Sequence, residues 1–187
     1  MCGIAGYCSF KEDVNRERFE KMVDIIEQSE GPNDRGTYYH DGVALGHRRL
    51  SIIDLSSDGH QPFFYKERYV LVFNGEIYNY REIKKELIIQ GYQFATKTDT
   101  EVLIAAYDYY GKECVQYFNG MWAFAILDRE KNELYCSRDR FGVKPFYYFV
   151  DDKKFIFGSE IKQILCMLDK KPRANKQRLL EFLVCGD

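Results

Sequence analysis

A small, apolar run begins at the third residue, where Gly3-Ile4-Ala5-Gly6-Tyr7-Cys8 reads as a β-strand that starts almost at the terminus. The N-terminus is therefore tied down. Phe19, Met22, Val23 and Ile26 then fall at i, i+3, i+4 and i+7, the spacing of an amphipathic helix that Gly31-Pro32 should close. Residues 36–53 read as two strands turned at Asp41-Gly42, and Tyr69-Val70-Leu71-Val72-Phe73 is a continuous apolar run short enough for a buried strand. Asn79 with Glu82 has the spacing of a capping box for a helix over about 79–90, with Ile83 and Leu87 on one face and Gly91 as its stop. Thr98 with Glu101 makes a second box, opening a helix through Val102, Leu103 and Ala106 to Gly111 and placing Asp99 in its first turn. Strand patterns return over Met121 to Asp128, Glu133 to Arg138, Phe146 to Val150 and Phe155 to Phe157, followed by short helices near 160–167 and 175–184. Helices thus cluster between two groups of strands, an α+β arrangement.

A length of 187 residues suits one domain, expected over 1–168. Asp169-Lys170-Lys171-Pro172 looks like a surface connection, and residues 169–187 read as a linker and helix. The helix's apolar Leu179, Leu180, Phe182 and Leu183 point toward a missing or separate partner. Lys and Arg number 27 against 29 Asp and Glu, with the signs interspersed, so no basic stripe exists to track a nucleic acid. No apolar stretch approaches the roughly 20 residues of a membrane span, and no secretory signal opens the chain, so the expected location is the cytoplasm. The six cysteines lack paired spacing and are read as reduced thiols. No CxxC or HExxH occurs, and His40, His47 and His60 lack the spacing of paired ligands, so no metal is expected.

A cysteine at position 2 is unremarkable alone, but Cys2 is followed by Gly3, and Cys is small enough to permit removal of the initiator Met1. A free Cys2 would carry its thiol and an α-amine on one residue. With a pKa of about 7.7–8.0, that amine is partly neutral near pH 7 and could act as the thiol's own base.

Seven motifs extend this reading. They are Met1-Cys2-Gly3-Ile4-Ala5-Gly6, Gly31-Pro32-Asn33-Asp34-Arg35-Gly36, His47-Arg48-Arg49-Leu50-Ser51-Ile52, Asn74-Gly75-Glu76-Ile77-Tyr78-Asn79, Thr98-Asp99-Thr100-Glu101, Gly120-Met121-Trp122-Ala123-Phe124-Ala125 and Arg138-Asp139-Arg140-Phe141-Gly142-Val143-Lys144-Pro145. In this order, over almost the whole chain, they resemble the glutaminase domain, a class II glutamine amidotransferase, of glutamine-hydrolysing asparagine synthetases.

The resemblance implies a four-layer αββα sandwich of the N-terminal nucleophile hydrolase type, acting on L-glutamine to give glutamate and ammonia through a Cys2 thioester. It implies that Arg49 grips the α-carboxylate, with Leu50, Ser51, Ile52 and Ile53 lining the same segment, Ile52 and Ile53 through backbone contacts. Asn74 and Gly75 would supply an oxyanion hole, while Glu76 and Asp99 would hold the α-ammonium. The first-turn position of Asp99 would help keep it ionised for that role. Each residue also has a plainer reading. Arg49 could be a surface arginine like Arg48, Asn74-Gly75 is a common turn dipeptide, Glu76 could be a solvated strand-end charge, and Asp99 an ordinary first-turn acid. Arg138-Asp139-Arg140 with Lys144-Pro145 reads as a structural charge cluster, Phe146-Tyr147-Tyr148-Phe149 as core, and Gly158-Ser159-Glu160 as a helix cap. Where the family usually carries His-Arg-Gly-Pro-Asp, this chain has Ser29-Glu30-Gly31-Pro32-Asn33, so a contact of that basic pair with a partner domain is not carried over.

Glutamine hydrolysis of this type needs no cofactor. ATP and magnesium belong to the synthetase domain or subunit that receives the ammonia, and no phosphate-binding loop for them occurs in this sequence. An N-terminal nucleophile hydrolase for another amide is disfavoured by the pairing of Arg49 with Asp99, which suits a free amino acid. A catalytically silent domain retained for assembly or regulation is the remaining alternative. The natural ammonia acceptor and the oligomeric state are not encoded in any of these motifs.

Overall fold

The computed structural model describes residues 2–9, 11, 13–26, 34–49, 59–170 and 172–186. Two antiparallel sheets form its centre. The first is ordered β2 (Asp34–His40), β3 (Val43–Arg49), β1 (Gly3–Ser9), β9 (Lys154–Gly158), β8 (Tyr147–Val150). The second is ordered β4 (Phe63–Tyr65), β5 (Tyr69–Ile77), β6 (Gly120–Asp128), β7 (Glu133–Arg138). The turn between β2 and β3 falls on Asp41-Gly42, both at positive φ.

Side-chain alternation along the strands divides the apolar residues into three layers of contact. Ile4, Val43, Leu45, Val70, Val72, Ala123, Ala125 and Leu127 fill the space between the sheets. Ala5 and Ala44, on the opposite face of the first sheet, pack under α1 (Arg16–Asp24) and α4 (Ile161–Met167) through Phe19, Met22, Val23 and Ile164. Leu71, Phe73 and Ile77, on the far face of the second sheet, pack under α2 (Tyr80–Ile89) and α3 (Asp99–Tyr110). The result is the αββα sandwich expected from the sequence. A fifth helix, α5 (Lys176–Cys185), buries none of its residues, and Leu179, Leu180, Phe182 and Leu183 are all exposed.

The helix caps depart from expectation in instructive ways. Thr98 does cap α3, its side chain accepting from the Glu101 N–H at 3.3 Å. The Glu101 carboxylate turns away from the box and binds the backbone N–H groups of Ala95 and Thr96 instead. Asn79 stands at the start of α2 without a side-chain cap bond, because its amide bridges to the Tyr117 carbonyl and the Asn119 N–H. A tertiary tie across the sheet edge has taken the groups that a capping box would use. Glu160 and Gln163 do form a capping box, at the start of α4. The expected stop of α1 at Gly31-Pro32 lies outside the described residues; within them α1 ends at Asp24 and Ile26 is buried just beyond it. The aromatic run is only partly core: Phe146 stacks on Phe157 between the sheets and Phe149 packs on the helix side, while Tyr147 and Tyr148, on edge strand β8, are exposed.

Arg138-Asp139-Arg140 is the structural cluster that its composition suggested. The Asp139 carboxylate accepts from four backbone N–H groups, those of Trp122, Phe141, Val143 and Lys144. Arg138 donates to the Lys144 and Gly142 carbonyls, and Arg140 to those of Phe118 and Val115. Burial alone would raise the Asp139 pKa, but these hydrogen bonds outweigh it and hold the carboxyl below its ordinary value. Asp139→Ala should therefore destabilise the fold by about 3 kcal/mol at neutral pH, in line with the loss of several hydrogen bonds to a buried charge. Because the folded pKa is depressed, this stabilisation is present above the unfolded value of about 3.9 and lost as pH falls through the folded one. Urea unfolding of both proteins should show the difference shrinking below about pH 4; a difference that persists undiminished in acid would contradict the assignment.

Candidate active site

The site is built by strand alternation at one end of the space between the sheets. On β3, Val43, Leu45, His47 and Arg49 share a face, and the first two line the inter-sheet core. On β1, Ile4 lines the same core, so Cys2 continues its face. On β5, Val70 and Val72 do likewise, so Asn74 and Glu76 follow them on the face directed at the first sheet. Both β1 and β3 pack against β5. The antiparallel register pairs Gly3 with Arg48, and carried one residue further it sets half-buried Cys2 opposite Arg49.

The same alternation distinguishes two neighbouring arginines that composition could not. Arg48 points to the helix side of the sheet, where its Nη1 lies 3.3 Å from Asp24 of α1. Arg49 points between the sheets and lies over Gly59, where an added Cβ would sit 2.2 Å from the guanidinium Nη2. A larger residue at position 59 would displace the guanidinium from this position.

Asn74-Gly75 is not a turn. Both residues lie inside β5, paired with Ala123 and Trp122 of β6. A turn dipeptide is overridden here because flanking Phe73 and Ile77 are drawn into the core under α2 and α3. Asn74 is 2% exposed, and its Nδ2 has no hydrogen-bond partner among the described residues. A buried amide without a partner costs on the order of 1–3 kcal/mol, and this one remains able to donate to an added acceptor.

The backbone beside it is arranged in the same sense. The pairing with β4 stops at Phe63, opposite Leu71, and beyond it no strand among the described residues lies along this edge of β5. At Phe73 that edge is taken by the Gln61 side chain, whose Oε1 accepts from the Phe73 N–H at 2.6 Å and whose Nε2 donates to the Phe73 carbonyl at 3.1 Å. At Ile77 the Asp99 Oδ2 accepts the N–H at 3.0 Å. Backbone groups alternate sides along a strand, so the Gly75 N–H points to this same edge, between the two. The partner strand agrees, since the N–H and carbonyl of Trp122, opposite Gly75, are turned away to Asp139. Gly75 can bear no side chain, because a Cβ would lie 2.2 Å from the Met121 carbonyl oxygen.

Asp99 opens α3 as expected, and the helix start favours its ionisation, but burial outweighs that help. Burial raises its pKa, nearby Glu76 raises it further, and the hydrogen bonds from Ile77 and the helix start only partly offset them. Asp99 and Glu76 therefore form an acidic pair that a cation would relieve.

Two polar residues at the site were not singled out by the sequence. His47, 1% exposed, lies with Nε2 3.2 Å from the Phe73 carbonyl, and its Nδ1 has no partner among the described residues. Burial lowers its pKa to about 3, so the ring is neutral, and the carbonyl it meets requires the proton on Nε2. Gln61, 5% exposed, is the other. The period-two spacing of His47 with Arg49 was the available signal for the first; nothing in the sequence around Gln61 announced the second. Leu50, Ser51, Ile52 and Ile53 lie outside the described residues, as does the Ser29–Asn33 segment. No group of three or more His, Cys, Asp or Glu suited to a metal occurs among the described residues, and no helix there is long and apolar enough to cross a membrane.

Comparison with known proteins gives this geometry a context. Residues 1–186 match a family described as the glutamine amidotransferase domain. Asparagine synthetase (glutamine-hydrolyzing) 3 of Bacillus subtilis is 40% identical, over all of this chain and 31% of its own length. A Methanocaldococcus jannaschii protein, provisionally named a second glutamine-hydrolyzing asparagine synthetase, is 41% identical over all of this chain and 39% of its own. The chain thus spans about a third of these relatives. Among solved structures, the glutamine phosphoribosylpyrophosphate amidotransferase of B. subtilis, complexed with ADP and GMP, superposes with a TM-score of 0.58. That match is 21% identical and covers 87% of this chain and 36% of the other, a likeness of fold.

Proposed function

The chain belongs to the glutamine amidotransferase domain family, and on that premise we propose that it hydrolyses L-glutamine through a Cys2 thioester and delivers the ammonia to a synthetase domain or subunit. The observation that carries the reading is the buried Asn74 amide, without a partner among the described residues, on the face of β5 directed at the sheet that carries Cys2 and Arg49.

Removal of Met1 exposes the Cys2 α-amine. In its neutral form the amine takes the proton of the Cys2 thiol, and the sulfur attacks the side-chain carbonyl carbon of glutamine. The carbonyl oxygen becomes negative as the tetrahedral intermediate forms. It accepts hydrogen bonds from the Asn74 Nδ2 and the Gly75 N–H, donors already oriented before the charge appears. The α-ammonium returns its proton to the departing nitrogen, ammonia leaves, and a thioester to Cys2 remains. Water, deprotonated by the same amine, then attacks the thioester and releases glutamate. Electrons and protons balance with no cofactor.

Arg49 holds the α-carboxylate with two parallel hydrogen bonds, which is why its fork-shaped guanidinium suits the position. Leu50, Ser51, Ile52 and Ile53 continue its segment along the substrate. The Asp99 and Glu76 pair takes the α-ammonium, whose charge favours ionisation of an Asp99 that burial opposes. ATP and magnesium enter only at the synthetase, which in this scheme activates a carboxylate for amidation in the cytoplasm.

An extra residue that blocks Met1 removal should abolish ammonia release nearly as fully as Cys2→Ala, since one removes the base and the other the nucleophile. Ammonia assays on proteins whose N-termini are verified by mass spectrometry test this, and full activity in the blocked protein would refute the α-amine's role. Arg49→Lys should chiefly raise KM, while Asn74→Ala should lower kcat on the order of 10²-fold with a smaller change in KM. Steady-state kinetics with the reverse pattern would show that the two roles are misassigned.

A further inference from the structure

The Phe73 carbonyl oxygen lies in the peptide plane that joins Phe73 to Asn74, and two buried side chains donate to it: His47 Nε2 at 3.2 Å and Gln61 Nε2 at 3.1 Å. Gln61 also accepts from the Phe73 N–H at 2.6 Å. Because a peptide unit is planar, donors that fix its oxygen also fix the orientation of the following N–Cα bond, and with it the direction in which the Asn74 side chain leaves the strand. The two donors come from different parts of the fold. His47 belongs to β3 in the opposite sheet, and Gln61 precedes β4. Gln61 is itself held against the first sheet, since Gly36 of β2 approaches its carbonyl so closely that a Cβ would lie 2.1 Å from that oxygen.

We propose that His47 and Gln61 are positioning residues for the oxyanion hole, acting on the transition state through the Phe73–Asn74 peptide and not by touching the substrate. The proposal rests on the assignment of Asn74 as an oxyanion donor. A stabilising role alone accounts poorly for His47. Its ring is buried with Nδ1 unpartnered among the described residues, a cost that an apolar side chain of the same size would avoid. What the imidazole supplies that a phenyl ring cannot is the Nε2–H aimed at the carbonyl one peptide before the donor. Strand β5 also gains from this help at Phe73, because the pairing with β4 has stopped there and no backbone ladder among the described residues holds that edge. A displacement on the order of 1 Å at a catalytic group is enough to cost about 10²-fold in rate, so a strand edge pinned from both sheets has a direct consequence for turnover.

The test is a double-mutant cycle on the processed chain, following glutamate release. His47→Phe removes the donor and keeps the ring volume; it should lower kcat about 10-fold and leave KM within about twofold. His47→Gln, which retains an N–H donor, should recover part of that loss. In an Asn74→Ala background, His47→Phe should cost nothing further, because the group it positions is already gone. Equal losses in the two backgrounds, or a loss expressed in KM, would overturn the proposal. If His47→Phe does not fold, Gln61→Met takes its place in the cycle with the same expected non-additivity. Should Asn74→Ala itself leave kcat unchanged, the oxyanion assignment fails and this proposal with it. Should Asn74→Ala lower kcat while the His47 and Gln61 variants turn over normally or additively, the positioning proposal alone fails.

Discussion

The pairing of β1 with β3 is the constraint on which the site depends. Gly3 opposite Arg48 sets the residue before it opposite Arg49, and the same register sends Arg48 to the helix side. Side chains on a strand alternate with a period of two, so a slip of one residue would turn Cys2 and Arg49 away from the inter-sheet space together. The register is secured from its flanks. Ile4 is bonded through its N–H to the Ser159 hydroxyl and through its carbonyl to the Ser159 N–H. The Gln163 amide adds a bond to the same carbonyl. Gly3 presses against Ile26 beyond α1, where a Cβ would sit 2.7 Å from that side chain. Cys2, the proposed nucleophile, stands just outside β1, and the strand that follows it is bound on both sides.

The second sheet answers with groups whose burial is costly. Among the described residues Asn74 has a donor without a partner and His47 an unpartnered nitrogen, and Asp99 has a pKa raised by burial and by Glu76. Each is a local loss of stability, and all fall around one end of β5. The compensation is elsewhere, in the apolar layers and in ties such as Asp139, whose carboxylate serves four backbone N–H groups of the neighbouring turn and strand. Polar groups left unsatisfied in concert, on a frame satisfied in detail, are the mark of a site waiting for a polar ligand. In the proposed reaction glutamine would supply the matching charges: an oxygen that becomes negative, a carboxylate and an ammonium.

Much of this was legible in the sequence because it rests on local periodicity. The opening strand, the Asp41-Gly42 hairpin, the Thr98 cap and the strands after residue 120 follow from patterns of two or of three to four. Motif resemblance added the layer order and the residues to watch. What stayed hidden was set by tertiary contact. Asn74-Gly75 has the composition of a turn and becomes a strand because its neighbours are core residues. Asn79 has the composition of a cap and is used as a bridge. The helix start helps ionise Asp99 as expected, but desolvation, which no local pattern reveals, outweighs it. Gln61 acts on a residue 12 positions away through a strand edge that no local pattern reveals.

The account stands on Cys2 as the atom that takes the acyl group. The most direct measurement is acid quenching of the processed protein during turnover of glutamine, followed by peptide mapping of the modified chain by mass spectrometry. A glutamyl group on the peptide that begins at Cys2, lost on treatment with hydroxylamine and absent from Cys2→Ala, is the predicted result. Ammonia release at full rate with no acyl group on Cys2 under any quench, or with the label on another cysteine, would contradict it.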